Sequence, residues 1–268
     1  MAISLQVRRL LFWAAVIIFG IAAYVAVLYA QGYEFSFRDR RFVRTGAVTL
    51  DANAQADVFI DGEHAGGTFL IGDTFSRGRL LPGTYEFRME RDGYSTWTKT
   101  VQVQEGLVTD FPRVLILQTD ETIASRSRGL IDELMEVADA VPSPTPTPAP
   151  SASAGAQATP SPVPYALVRG VLTVNDERVA TGVLGYRLSG DGAKLMWFTR
   201  NEVVVRWLTD SDEQPFRTAG DQVALLRLTT VIDGAVWWPD AYHVAVRSGS
   251  TYHIVELDDR GGTNIIRF

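Results

Sequence analysis

The chain has 268 residues, a formal net charge of −6 and no cysteine. The acidic balance, with no basic stripe and no zinc-ligand spacing, argues against a nucleic-acid partner, and the lack of cysteine excludes disulfide bonds. An apolar content of 46% suffices for about two modest domains besides a membrane anchor, so stability must come from packed cores.

The first predicted element is a membrane anchor at residues 10–30. Leu10–Ala30 contains no charged residue, and an α-helix of this length spans roughly 31 Å, the thickness of a bilayer's hydrocarbon core. A cleavable signal peptide is the alternative interpretation. Its apolar region is shorter, however, and Leu28 stands where a cleavage site requires a small residue. The segment therefore predicts an uncleaved signal anchor in the lipid bilayer, preceded by a tail at residues 1–9.

The charges beside this segment predict its orientation. Arg8 and Arg9 precede it, and the positive-inside tendency keeps such residues in the cytoplasm. The arginines of Arg38–Arg44 oppose export, although Glu34 and Asp39 lie among them. We therefore expect a single-pass protein of the cytoplasmic membrane, with its N-terminus inside and the bulk of the chain extracytoplasmic.

Residues 31–118 are predicted to form a small antiparallel β-sandwich. Runs of alternating apolar and polar residues are separated by turn signals, and short strands at this spacing are typical of a sandwich. The runs are 47–50, 56–60, 85–89 and 98–103, and the turn signals are Asp61-Gly62, Leu81-Pro82-Gly83 and Arg91-Asp92-Gly93.

The same stretch resembles a known family. It contains, in order, G-x-V-x-L at 46–50, A-D-V-F-I-D-G at 56–62, L-L-P-G-T-Y-E-F at 80–87 and D-G-Y-S-T-W-T-K-T-V-Q-V at 92–103. This order resembles the PEGA domain, although the tetrad that names the family is replaced by residues 53–56. The resemblance implies a β module of an exported protein, with a binding or structural role towards cell-envelope carbohydrate or protein.

A helix and a linker are predicted to follow. Residues 119–141 place Ile123, Leu130, Leu134 and Val137 at mostly helical spacing, which indicates a short amphipathic helix. Residues 142–164 hold eight of the twelve prolines among small uncharged residues. This composition favours an extended spacer that buries nothing.

Residues 165–268 are predicted to form a second β domain with an internal repeat. Residues 185–208 and 234–257 share an order of strand, Asp-containing turn, apolar strand, polar hairpin tip and further strand. Partial versions of a W-S-P-D-G turn occur at 189–192 and 238–240. The pattern resembles the β-propeller repeats of TolB type, which implies about two propeller-like repeats.

Two repeats cannot close a propeller, which needs about four to eight blades. One solution is assembly through this domain, either with a partner or as a homo-oligomer. The more economical solution is a smaller sandwich in which residues 166–174 pair near the C-terminal strand at 264–268.

Four aromatic residues are candidate contacts. Trp237 and Trp238 are adjacent in a predicted strand and must point to opposite faces, so one ring should reach a surface or an interface. Tyr94 and Trp97 are candidates for a carbohydrate-stacking pair, with packing inside the domain as the competing interpretation.

The sequence contains no recognisable catalytic, cofactor-binding or metal-binding motif. His64, His243 and His253 are scattered and are interpreted as packed or surface residues. The acidic run Asp210–Glu213 lacks the glycine and the distal glutamate of an EF-hand loop, so it is interpreted as a solvated turn.

Further carboxylates belong to predicted turns of the second β domain. A glycosidase needs two carboxylates in one pocket, and the sequence does not place any two of these side chains together. They are Asp191, Asp240, Asp258 and Asp259.

Together these features predict a mostly β, membrane-anchored extracytoplasmic protein that is neither an enzyme nor dependent on a cofactor. Its expected role is to present the two β modules to a cell-envelope glycan or surface protein. One alternative is a transmembrane signalling component that acts through a partner, since PEGA modules accompany receptor kinases. The other is an envelope hydrolase, which requires acidic side chains to converge in one pocket.

Overall fold

The computed structural model describes residues 5–37, 39–68, 73–140 and 165–268. The predicted linker at 142–164 lies outside the described residues, as do Arg38 and the first four residues. The described part is mostly β, with an apolar N-terminal helix, a helix in mid-chain and six small sheets. The elements before the linker are α1 (Leu5–Ala30), β1 (Tyr33–Ser36), β2 (Arg41–Arg44), β3 (Gly46–Ala52), β4 (Asp57–Ile60), β5 (Glu63–Gly67), β6 (Thr74–Leu80), β7 (Gly83–Glu90), β8 (Trp97–Val103), β9 (Val108–Val114) and α2 (Glu121–Ala140). The elements after it are β10 (Tyr165–Val168), β11 (Val171–Val174), β12 (Glu177–Thr181), β13 (Val183–Leu188), β14 (Lys194–Thr199), β15 (Glu202–Trp207), β16 (Gln222–Arg227), β17 (Gly234–Trp237), β18 (His243–Ser248), β19 (Thr251–Glu256) and β20 (Ile265–Arg267).

α1 is long and apolar enough to span a membrane. It begins at Leu5, so Arg8 and Arg9 are helical. Arginine is a good helix former, and no proline or glycine interrupts this part of the sequence. None of the helix residues is buried by the rest of the chain, which suits a helix surrounded by lipid.

A short hairpin connects α1 to the strands that follow. β1 and β2 pair with each other as a separate two-stranded sheet. The carbonyl oxygen of Gly32 accepts a hydrogen bond from the Thr45 N–H at 2.9 Å and another from the Thr45 hydroxyl at 2.8 Å. These bonds fix the end of α1 to the start of β3, with the hairpin between them.

The N-terminal β module (residues 33–118) contains two further sheets that share one core. Their strand orders are β6-β3-β9 and β5-β4-β7-β8. Leu50, Phe87 and Trp97 are among the largest fully buried side chains of this core. One pairing differs from the expected antiparallel sandwich, because β3 and β9 run parallel. β9 follows β8 directly in the chain but crosses to the other sheet, where it lies beside β3.

Three antiparallel sheets form the C-terminal β stack (residues 165–268). Their strand orders are β10-β11-β12, β13-β14-β15-β16 and β17-β18-β19-β20, so each strand pairs with its neighbour in sequence. The second and third sheets are related by the period found in the sequence. β14 and β18 begin at Lys194 and His243, and β15 and β19 begin at Glu202 and Thr251, an offset of 49 residues in both cases.

The first sheet lies outside the predicted repeat. Asn175 and Asp176 form the turn between β11 and β12 with φ values of 52° and 63°, the left-handed conformation that a two-residue hairpin turn requires. The expected pairing of residues 166–174 near 264–268 is wrong, since β10 pairs with β11, and β20 pairs with β19. Local pairing across a tight turn costs less chain entropy than pairing with the distant C-terminus.

The middle sheet of the stack is buried on both faces. Leu195 and Trp197 of β14 pack against the first sheet, whereas Met196 and Phe198 pack against the third. This alternation follows the two-residue period of a strand. It explains the continuous apolar run Leu195–Phe198 within β14, which is typical of a strand covered on both faces.

α2 covers the outer face of the third sheet. Its start is capped by Asp120, whose carboxylate accepts hydrogen bonds from two backbone N–H groups of the first turn, at 3.0 and 3.1 Å. Ile131 is fully buried in a cluster that includes Ile254 of β19. Beside it, Arg247 donates to the Asp132 carboxylate at 2.8 Å. The helix therefore belongs to the packed structure of the stack.

Candidate site at the module junction

The N-terminal β module and the C-terminal β stack meet along β8. This strand ends its sheet, so its outer backbone groups have no strand partner. The Asn264 side chain serves instead: its oxygen accepts the Thr98 N–H at 3.1 Å, and its nitrogen donates to the Thr98 carbonyl at 3.1 Å. The Thr100 N–H donates to the Gly261 carbonyl at 3.3 Å. The loop between β19 and β20 therefore seals a sheet edge of the other module.

A buried ion pair crosses the same junction. The side chain of Lys99 is 0% exposed, and its Nζ lies 3.1 Å from Oε2 of Glu256. The ammonium group also donates to the carbonyl oxygens of Asp258 and Gly262. Glu256 accepts a further hydrogen bond from the Asn264 side chain at 2.9 Å. A buried charge is tolerated only when it is paired and hydrogen-bonded, and both groups satisfy this condition.

A cavity of about 60 Å³ lies next to this ion pair, between β9 and the loops of the stack. A buried water needs about 10–15 Å³ on this measure, so the cavity has room for a few waters or a small polar group. Its lining combines aromatic rings with charged groups from both modules. The lining includes Phe111, Arg113, Lys194, Trp207, Tyr242 and Asp258.

Tyr242 is the central aromatic residue of the cavity. The Arg113 guanidinium lies 4.8 Å from the centre of its ring, and the Lys194 ammonium lies 5.1 Å from it. Its hydroxyl donates to the Glu213 carboxylate at 2.6 Å. Burial, together with that carboxylate, raises the pKa of Tyr242 to about 12. The phenol therefore stays neutral at physiological pH and acts as a hydrogen-bond donor and a platform for cations.

Two turn carboxylates reach this end of the stack, each held by a basic partner. Asp191 lies 3.0 Å from the Lys194 ammonium, and Asp240 lies 2.7 Å from Nδ1 of His243. Burial by itself raises the pKa of both carboxyls. Hydrogen bonds from Ser189 and Lys194 to Asp191, and from His243 to Asp240, outweigh burial, so both pKa values lie below the ordinary value.

The other two carboxylates are also paired. Asp258 forms an ion pair with Arg260 at 2.6 Å, and Asp259 pairs with Arg217. A glycosidase needs one carboxylic acid with a raised pKa opposite a second, ionised carboxylate. The four turn carboxylates are instead tied to arginine, lysine and histidine, whereas burial raises the pKa of Asp110 in β9.

Trp97 and Tyr94 do not form an exposed stacking pair. Trp97 is only 1% exposed and lies in the core, where its indole N–H points to Glu256 at 3.4 Å. Tyr94 is partly buried, with the guanidinium of Arg91 over its ring at 4.5 Å. Trp97 offers no ring face to an external ligand, and the strand that carries it belongs to the junction.

Trp237 and Trp238 point to opposite sides of the third sheet. Trp237 packs between the second and third sheets, and its indole N–H donates to the Arg187 carbonyl at 3.1 Å. Trp238 packs against the cluster beneath α2. The Trp238 ring therefore packs at the interface between the third sheet and α2.

The histidines serve as packing or surface groups. Within the ranges that the structure describes, no three His, Asp or Glu side chains are arranged to hold a metal ion. His64 is exposed and lies 3.1 Å from Asp57. His253 is 3% exposed, and burial, followed by the charge of Arg267, lowers its pKa, which keeps the ring neutral at physiological pH.

In comparisons with known proteins, no family model matches the chain and no curated protein matches its sequence. The resemblance to PEGA and TolB-type repeats therefore rests on the residues and motifs of the sequence alone.

The sequence did not reveal the junction, although one signal was present. Side chains at every second position of β8 point inward, and Lys99 is one of them, together with Trp97, Val101 and Val103. A lysine at a core position of an alternating strand indicates a buried charge that needs a partner. The partner, Glu256, lies 157 residues further along the chain, and nothing local indicates it.

Proposed function

We propose that this protein is a membrane-anchored extracytoplasmic binding or structural protein, held in the cytoplasmic membrane by α1. The observation that carries the proposal is a contrast in burial. No residue of α1 is buried, whereas the parts of the β ectodomain are joined by specific contacts. An apolar helix that is exposed along its whole length needs an apolar solvent. Hydrogen bonds at Gly32 join the end of this helix directly to the ectodomain.

The finer assignment is a PEGA-like module followed by propeller-like sheets. Support comes from the sequence order of the first module and from four-stranded meanders that recur after 49 residues. The three sheets of the stack, of which two are four-stranded, do not close a ring, and α2 and the N-terminal β module cover the end of the stack. We infer that the two modules act as one unit that is presented to a cell-envelope glycan or surface protein.

Binding or scaffolding is favoured over hydrolysis by the state of two turn carboxylates. Asp191 and Asp240 have pKa values below the ordinary value, and both are engaged by basic side chains. Neither is suited to donate a proton to a leaving group at neutral pH.

Site-directed labelling tests this proposal. The chain has no cysteine, so one introduced thiol reports on one position. Ser250→Cys places a thiol on the exposed tip between β18 and β19, and Ser4→Cys places one before α1. A membrane-impermeant maleimide should label Ser250→Cys in intact spheroplasts and Ser4→Cys only after lysis. The reverse pattern, or labelling of Ser250→Cys only after lysis, would overturn the proposal.

A further inference from the structure

The hairpin β1–β2 exposes an aromatic residue at its turn. Phe37 is 87% exposed, the highest value among the large apolar side chains of the described residues. Its ring lies edge-on to Phe35 with 5.2 Å between centroids, and Phe35 contacts Phe42 at 5.4 Å. Phe42 in turn contacts Tyr29, in the last turn of α1, at 6.3 Å. A continuous series of aromatic rings therefore runs from the end of the membrane helix to the hairpin turn.

The same hairpin is basic in an acidic protein. Residues 33–44 contain four arginines and two carboxylates, although the chain as a whole carries −6. Arg40, Arg41 and Arg44 are exposed, and none of the three forms an ion pair within the described residues. These charges are available to an external anionic partner.

The hairpin is held close to the bilayer surface. β1 begins at Tyr33, three residues after the end of α1, and Gly32 is fixed to Thr45 by two hydrogen bonds. Phe37 is seven residues beyond Ala30, so even an extended chain places it within about 24 Å of the helix end. A two-stranded hairpin that joins no larger sheet is marginal in water, and contact with a surface adds to its stability.

From these observations we propose that the hairpin β1–β2 docks on the headgroup layer of the membrane that α1 spans. Phe37 enters the interface while Arg40, Arg41 and Arg44 bind anionic phospholipid headgroups. Aromatic rings favour this layer, and basic residues beside a membrane helix are attracted to anionic lipid. The inference rests on the proposed anchoring by α1. It also gives the exposed arginines beside α1 a role at the membrane surface.

Docking sets the orientation of the ectodomain relative to the membrane. The loop between β8 and β9 lies at the same end of the module, since the Gly106 N–H donates to the Thr45 carbonyl at 3.3 Å. Leu107 in that loop is 55% exposed. With the hairpin on the headgroups, this end of the N-terminal β module faces the bilayer.

Fluorescence quenching in reconstituted vesicles tests the docking. The full-length chain carries a single Phe37→Cys substitution labelled with bimane, a small apolar fluorophore that replaces the phenyl ring. The vesicles contain phosphatidylcholine and phosphatidylglycerol in a two-to-one ratio, with a headgroup nitroxide lipid as quencher. We expect strong quenching, which falls in vesicles of phosphatidylcholine alone and falls when salt is raised from 0.1 M to 1 M, because the Debye length drops from about 10 Å to about 3 Å.

The arginine variant supplies the matched comparison. The triple substitution Arg40→Gln, Arg41→Gln and Arg44→Gln in the labelled chain removes about 1 kcal/mol of attraction per residue, so the ratio of docked to undocked hairpin should fall on the order of 100-fold. All three side chains are exposed, so the ectodomain should unfold as before. Equal quenching in neutral and anionic vesicles, or in the triple variant, would overturn the proposal, as would no quenching in any vesicle.

A failure of the anchor gives a different result from a failure of docking. If α1 does not insert, the protein is extracted from the vesicles by alkaline carbonate. If α1 inserts but the hairpin stays in water, the protein remains in the pellet and the bimane is unquenched. Hydrogen exchange of the unlabelled chain provides a second measurement, in which anionic vesicles should slow exchange of the β1 and β2 amides relative to neutral vesicles.

Discussion

Replacing Lys99 with methionine should uncouple the two β modules. Lys99→Met keeps most of the buried aliphatic volume and removes the ammonium group that lies 3.1 Å from Glu256. The Glu256 carboxylate then stays buried with only neutral donors, from Asn264 at 2.9 Å and Trp97 at 3.4 Å. Removing one partner of a buried ion pair typically costs about 3–5 kcal/mol, and we expect the free energy of unfolding to fall by that amount.

The fall in the free energy of unfolding is measurable by urea unfolding of the full-length protein in detergent micelles. Tryptophan fluorescence follows the two β modules directly, because Trp97 lies at the junction. For a folded unit of this size, about 3–5 kcal/mol corresponds to a fall in melting temperature of roughly 6–20 °C. The double variant Lys99→Met/Glu256→Gln removes the stranded charge, so it should be more stable than Lys99→Met alone, with a coupling of about 1–3 kcal/mol.

A surface ion pair provides the control for charge removal. Arg227 is 77% exposed and pairs with Glu202 at 2.8 Å. Exposed pairs contribute about 0–1 kcal/mol, so Arg227→Met should leave unfolding nearly unchanged. If Lys99→Met were no more destabilising than Arg227→Met, the buried pair would not hold the modules together and the reasoning would be refuted.

Three further substitutions test other contacts. A Cβ on Gly261 would lie 1.9 Å from the Thr100 carbonyl oxygen at a φ of +64°, so Gly261→Ala should cost more than about 2 kcal/mol in urea unfolding, whereas a Cβ on Gly190 meets open space and Gly190→Ala should be neutral. Ile131→Ala should cost about 2–5 kcal/mol because Ile131, on α2, is fully buried against the third sheet, whereas Leu130→Ala, at 37% exposure, should cost less than about 1 kcal/mol; equal losses would contradict the docking of α2. His253 has a lowered pKa in the folded protein, so it contributes stability above its unfolded pKa of about 6.5 that is lost as the pH falls below that value; His253→Gln should flatten the stability profile between about pH 7 and pH 5, and an unchanged slope would contradict the assignment.

Periodicity predicted the elements that depend on local sequence. The uncharged run at 10–30 identifies α1, because an apolar helix needs no distant partner to be recognised. The offset of 49 residues between the Asp-containing turns reappears as the offset between strands of the second and third sheets. These features follow from side chains that are neighbours along the chain.

The arrangement of the modules depends on contacts that the sequence pattern does not reveal. β3 pairs parallel to β9 because the chain crosses between sheets, and alternation is the same for both directions of pairing. The first sheet of the stack consists of short strands with mixed burial, so it gives little periodic signal. Trp97 is a stacking candidate from sequence, yet it is buried at the junction, because no local pattern distinguishes an exposed aromatic residue from one that closes an interface.

The most direct test of the account is controlled cleavage between the two modules. A protease site inserted between Ala154 and Gly155, in the predicted linker, is cut in intact spheroplasts, and the membranes are then washed. We predict that the chain is cut from outside and that the C-terminal fragment stays in the membrane pellet until urea is added, because the Lys99–Glu256 pair and the Asn264 contacts still hold it. Immediate release into the supernatant would contradict the junction, and cleavage only after lysis would contradict an extracytoplasmic ectodomain.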